Sequence, residues 1–142
     1  MKAVNPLNAY RETQIKTANQ EKLIIMLYDG AIRQINLAIE AMREGHPRYD
    51  VMNSSIIKAQ DIISELMVSL DFEKGGDIAR NLFSLYIFMN RQLLDANVNK
   101  LITPLKDVKE MLTELREAWI EISNKSDIEV GSENGNGVNI AG

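Results

Sequence analysis

The chain of 142 residues contains no cysteine, one histidine and three prolines. Without cysteine there is no disulfide, no thiolate metal site and no cysteine nucleophile. The one histidine, His46, lies in a Gly-His-Pro turn, Gly45 to Pro47, where a solvated loop residue is the simpler reading than a ligand or a base. A di-metal carboxylate site of the kind found in helical bundles needs Glu-x-x-His pairs on facing helices, which a single histidine does not supply. Aromatic residues make up 6% of the chain, too few for the stacking platforms that hold single-stranded nucleic acid. No block of lysine or arginine occurs and the formal net charge is -4, whereas a protein that tracks phosphates carries a basic face. No run approaches the roughly 18 apolar residues that span a bilayer. The opening stretch MKAVNPLNAYRETQIK has a lysine but no apolar core behind it, so it reads as neither a signal peptide nor an anchor. Gly75-Gly76 has neither the spaced glycines nor the preceding strand of a phosphate cradle. The expectation is a cytosolic, non-enzymatic protein with no cofactor, no metal, no nucleic-acid partner and no direct membrane insertion.

What the chain does have is apolar residues, 45% hydrophobic against 25% charged, enough for one ordinary domain with a real core. They repeat at helical spacing between Gly and Pro punctuation, with no useful strand-like alternation. Helix 1 is expected over about 20–44, with Ile24, Tyr28, Ala31, Ile35, Ala38 and Met42 stepping by four and three. Thr17 with Gln20, or Asn19 alone, is positioned to cap its start, and Gly45-His46-Pro47 ends it. Helix 2 is expected over about 48–70, with Met52, Ile56, Ala59, Ile63, Leu66 and Leu70 inward. Gly75-Gly76 breaks the chain, and helix 3 follows over about 77–96, its seam being Ile78, Leu82, Leu85 or Tyr86, Met89 and Leu93. Thr103-Pro104 reads as a cap followed by proline in the first turn. It opens helix 4, about 104–123, with Leu105, Val108, Leu112, Leu115, Trp119 and Ile122 inward. The fold class is therefore all-α: an antiparallel four-helix bundle over 17–124, an N-terminal arm over 1–16, and a Gly-, Asn- and Ser-rich tail over 125–142 expected to be disordered.

The apolar residues exceed what four seams use. Helix 3 carries Phe83, Ile87, Phe88 and Leu94 off its seam. Helix 1 adds Leu23, Ile25, Leu27, Ile32, Leu37 and Ile39, and helix 2 adds Ile57, Ile62 and Val68. A core-facing helix needs about three apolar positions in seven. One reading is that the surplus makes wide core faces covered by the arm. The other is that part of it stays exposed as a partner surface, which in a bundle suits an amphipathic helix laid into a groove. The same surface would also serve self-association into a homodimer.

Four ordered blocks carry a resemblance: LIIMLYDGA (23–31), LDFEKGGDIARNL (70–82), LLDANVN (93–99) and LREAW (115–119), with NAY (8–10) in the arm. In this order and spacing the chain resembles the flagellar secretion chaperone FliS family over roughly residues 5–123. It departs from the usual pattern at Asn19-Gln20, where Ser-Pro is common, and its polar tail has no counterpart there. The resemblance implies a helical bundle that binds the disordered C-terminal segment of flagellin in the cytosol. It also implies that such a protein prevents premature polymerisation and delivers flagellin to the flagellar type III export apparatus, through the cytoplasmic domain of an export-gate membrane protein. The residues expected to line the client groove or to act from the arm are Leu7, Tyr10, Ile25, Ile32, Ile57, Phe83, Ile87 and Phe88.

Overall fold

A computed structural model describes the backbone of residues 20–43 and 45–141, with side chains described as far as Lys125. Among these residues there are four helices and no strand: α1 Gln20–Arg43, α2 Tyr49–Val68, α3 Phe72–Asn99 and α4 Thr103–Ala141. Together they make an antiparallel four-helix bundle. Residues 26–116 form one compact unit, and the packing described below is that of this unit. Residues 20–25 and 117–141 belong to a second unit.

The four-three periodicity becomes the core. Tyr28, Ala31, Ile35 and Ala38 of α1 are fully buried, as are Met52, Ile56, Ala59, Ile63 and Leu66 of α2. Met89, Leu93 and Ala96 of α3 and Leu105, Val108 and Leu112 of α4 complete it. Burying one such Leu, Ile or Met side chain contributes about 1.5–3 kcal/mol, so these stripes rather than helix propensity hold the bundle together.

α1 and α2 pack closely because Gly30 lies between them. A Cβ placed there would stand 3.3 Å from Ile62 Cδ1. Glycine inside a helix costs about 1 kcal/mol relative to alanine, and here it permits the close approach. α2 ends with Ser69 N–H on the Glu65 carbonyl, and the chain re-enters helix at once. Asp71 is the cap: its carboxylate accepts from the Glu73 and Lys74 amides at 3.0 and 3.1 Å. α3 ends at Lys100, whose left-handed backbone (φ 54°) is the C' conformation that usually selects glycine.

Several expectations are corrected. α3 begins five residues early because Asp71 caps a single turn ahead of the two glycines. Gly76 then kinks the helix with φ 49° and ψ -122°, instead of ending it. Beyond the kink Ile78 is 71% exposed and Ala79 takes the inward position. The 97–100 stretch, expected as loop, is helical to Asn99. The inward face of α4 fades along its length: Leu115 and Trp119 are half-buried and Ile122 is exposed. Beyond these corrections, the α4 backbone runs on to Ala141, with the side chains past Lys125 outside the described residues. Thr17 and Asn19, the candidate caps, also lie outside the described residues.

Candidate functional site

Outside its apolar core, the α2/α3 seam carries a row of side-chain amides along its outer edge. Asn97 Nδ2 donates to Asn53 Oδ1 at 2.7 Å, Gln60 Nε2 donates to the Asn90 carbonyl at 3.2 Å, and Asn90 Nδ2 reaches Ser64 Oγ at 3.5 Å. Asn90 Oδ1 is buried and accepts no hydrogen bond. Such a seam gains less from solvent exclusion than an apolar one.

Exposed apolar residues border this amide row. On α2, Ile57 shares the face of Asn53, Gln60 and Ser64 by its spacing of four, three and seven, and it is 45% exposed. The pairings of 53 with 97 and of 60 with 90 bring position 57 opposite 93–94. There Leu93 turns into the core while Leu94 faces outward. On α3, Phe83, Ile87 and Leu94 recur at four and seven, a stripe about 16 Å long at 1.5 Å per residue. Phe83 also meets Phe72 edge-on across the kink, ring centroids 5.8 Å apart. Both rings remain part-exposed.

The expected site residues therefore do not form one patch. Ile57, Phe83 and Ile87 lie along the α2/α3 seam, with Ile57 level with Leu94 and the other two further along α3. Phe88 is one position round, on the outward face of α3, exposed beside Arg91 and Asp95. Ile25 and Ile32 are half-buried on a different helix, on the face of α1 that also carries Asp29. Asp29 accepts from Arg116 Nε of α4, in an ion pair that is more than a third exposed on each side. Leu7 and Tyr10 lie outside the described residues. Leu94 and Phe72 complete the seam surface without having been expected there. Leu94 was visible in the sequence as an off-seam apolar residue, but Phe72 was hidden by reading Gly75-Gly76 as the helix boundary.

At the centre of the bundle the hydroxyls of Tyr28 and Tyr86 hydrogen-bond at 2.5 Å. Burial pushes the Tyr86 phenol well above its ordinary pKa, and the adjacent Tyr28 adds to the effect. No chemistry converges on this pair, which links α1 to α3 and completes the core. No helix among the described residues is long and apolar enough to cross a membrane.

Comparison with known proteins gives one consistent result. Residues 3–126 match the model of the family described as flagellar protein FliS. The chain is 38% identical over 120 residues to the flagellar secretion chaperone FliS of Vibrio cholerae, covering 82% of this chain and 87% of that protein. It is 38% identical over 118 residues to the Salmonella typhimurium protein of the same name, covering 81% of this chain and 84% of that one. With the Bacillus subtilis protein of that name, identity is 32% over 115 residues, covering 81% and 84% of the two.

Proposed function

This chain belongs to the FliS family, which makes it a flagellar export chaperone, and we propose that its client is the disordered C-terminal segment of flagellin. It binds that segment in the cytosol, keeps it from polymerising, and hands it to the cytoplasmic domain of an export-gate membrane protein. It works by binding, without catalysis. The observation that carries this reading is the α2/α3 surface, where Ile57, Phe83 and Leu94 stand exposed beside a row of side-chain amides. A client segment that pairs through an amphipathic stripe in the filament needs its apolar face covered while apart. The α3 stripe of Phe83, Ile87 and Leu94, with Ile57 of α2 across the seam, suits such a face as a helix laid against it. Ordering the segment costs about 2–5 kcal/mol, which the apolar burial must exceed.

The test is titration calorimetry with a flagellin C-terminal peptide. One peptide should bind per chain with a clearly negative heat-capacity change; a change near zero counts against apolar docking. A second reading, self-association through the same exposed residues, is motivated by their size and number. Light scattering separates the two, since self-association persists without peptide and chaperone binding gives a one-to-one complex.

A further inference from the structure

The exposed stripe of α3 is interrupted by an amide. Phe83, Ile87, Asn90, Leu94 and Asn97 step by four, three, four and three, which puts all five on one helix face. Asn90 stands between Ile87 and Leu94, about 4.5 Å along the axis from the first and about 6 Å from the second. Its neighbour Met89 turns into the core, as does Leu93 one turn on.

The two amides of the stripe are matched differently. Asn97 has both ends engaged: Nδ2 donates to Asn53 Oδ1 at 2.7 Å, and Oδ1 accepts from Lys100 Nζ at 3.0 Å. Asn90 has one long contact, from Nδ2 to Ser64 Oγ at 3.5 Å. Its Oδ1 is the one buried side-chain atom among the described residues that has no hydrogen-bond partner, where a buried polar group is normally satisfied. Turning the amide over puts Nδ2 in that place instead, so neither orientation matches both ends. Ser64 is exposed and Asn90 only half-buried. The amide therefore lies at the outer edge of the seam, and rotation about its Cα–Cβ bond brings it out at the loss of that one contact.

We propose that Asn90 sets the register of the client helix by pairing with an asparagine or glutamine in the client's apolar stripe, an inference that rests on the α2/α3 surface being the flagellin site. The client N–H donates to Oδ1 and the client oxygen accepts from Nδ2. A side-chain amide is the partner that offers a donor and an acceptor together in this geometry. Ile87 and Leu94 on either side take client apolar residues three or four positions from that amide. A client helix shifted by one turn sets an apolar side chain against Asn90 and leaves its amide unmatched. A single polar position in an apolar helix seam fixes register in this way, at a cost in stability. The apolar residues supply affinity, and Asn90 decides the alignment.

The experiment is a double-mutant cycle by titration calorimetry on the full chain. Its probes are a flagellin C-terminal peptide and versions of it with each Asn and Gln changed singly to Ala. One of these changes should weaken binding to the unaltered chain by about fivefold, as expected for one matched hydrogen-bonded pair. The same change should have no effect on binding to Asn90→Ala, while changes at the other amides should affect both chains equally. Without peptide, Asn90→Leu should raise the urea midpoint, because it removes the unmatched atom from the seam. An unchanged or lower midpoint would show that Oδ1 is matched in the empty chain and would overturn the proposal. So would peptide binding in which no amide change is coupled to position 90. Both of those results leave flagellin as the client, whereas an unaltered chain that binds none of the peptides overturns the client and the pairing together.

Discussion

Tyr28 and Tyr86, fifty-eight residues apart, share one hydrogen bond of 2.5 Å in the bundle interior. Both side chains are buried. Removing one hydroxyl takes this bond away from the other, while removing both takes the pair out together. Tyr86→Phe should therefore cost about 1–3 kcal/mol in urea unfolding, and the double change Tyr28→Phe with Tyr86→Phe should be less damaging than the sum of the single ones. Additive losses would show that the pair is not coupled.

The same pair sets a pH dependence. The folded-state pKa of Tyr86 is raised, chiefly by burial. An exposed tyrosine in the unfolded chain ionises near pH 10, about its ordinary value. Below that pH both states hold the proton and the group contributes no slope. Above it the unfolded state loses its proton first, so stability falls as pH rises, by up to about 1.4 kcal/mol per pH unit for this group. Tyr86→Phe should show a shallower loss between pH 10 and 11; an unchanged slope would refute the assignment.

The glycines should rank by geometry. Gly76→Ala places a side chain at φ 49° and ψ -122°, which glycine alone adopts readily, at a cost of about 1–3 kcal/mol. Gly75→Ala puts a Cβ 2.8 Å from the Ala79 Cβ, and neither atom can rotate away, so a loss of about 1–3 kcal/mol is expected. Gly45→Ala meets nothing within 4 Å and should be neutral or stabilising by up to about 1 kcal/mol. Thermal melts of the three variants decide the order.

Changes at the α2/α3 surface should separate binding from folding. Ile57→Ser and Phe83→Ser alter side chains that are 45% and 37% exposed. We expect each to lower flagellin-peptide affinity by about tenfold, roughly 1.4 kcal/mol, and to cost less stability than Leu112→Ala, which empties a fully buried position at about 2–5 kcal/mol. Peptide affinity that stays unchanged in both would move the client site elsewhere.

The arm carries an opposite sign. Val4, Leu7 and Tyr10 recur at helical spacing in a segment too short to be a stable helix alone. If the arm covers the client surface in the free chain, deleting residues 1–16 should leave client affinity equal or tighter and lower the solubility of the empty protein. Weaker binding after deletion would instead make Leu7 and Tyr10 client contacts.

Much of the architecture was legible in the sequence because a bundle core is a local pattern repeated. The steps of Tyr28, Ala31 and Ile35, or of Met52, Ile56 and Ala59, already name the buried face of each helix. The four motif blocks likewise carried the family. What periodicity does not encode is how one helix meets the next. It assigned Ile78 to the core, yet the Gly76 kink rotates the helix and Ala79 is buried in its place. It marked Ile25, Ile32, Ile57, Phe83, Ile87 and Phe88 as surplus apolar residues without saying which of them are neighbours. Interhelical register sets Ile57 along the same seam as Phe83 and Ile87 and leaves Ile32 and Phe88 on other faces, because a residue's neighbours across a groove depend on pairings such as Asn53 with Asn97. The composition of each helix decided that it would have surplus apolar residues. Only the packing of α2 against α3, through side-chain amides and in antiparallel register, decided which of them stand together in reach of a partner.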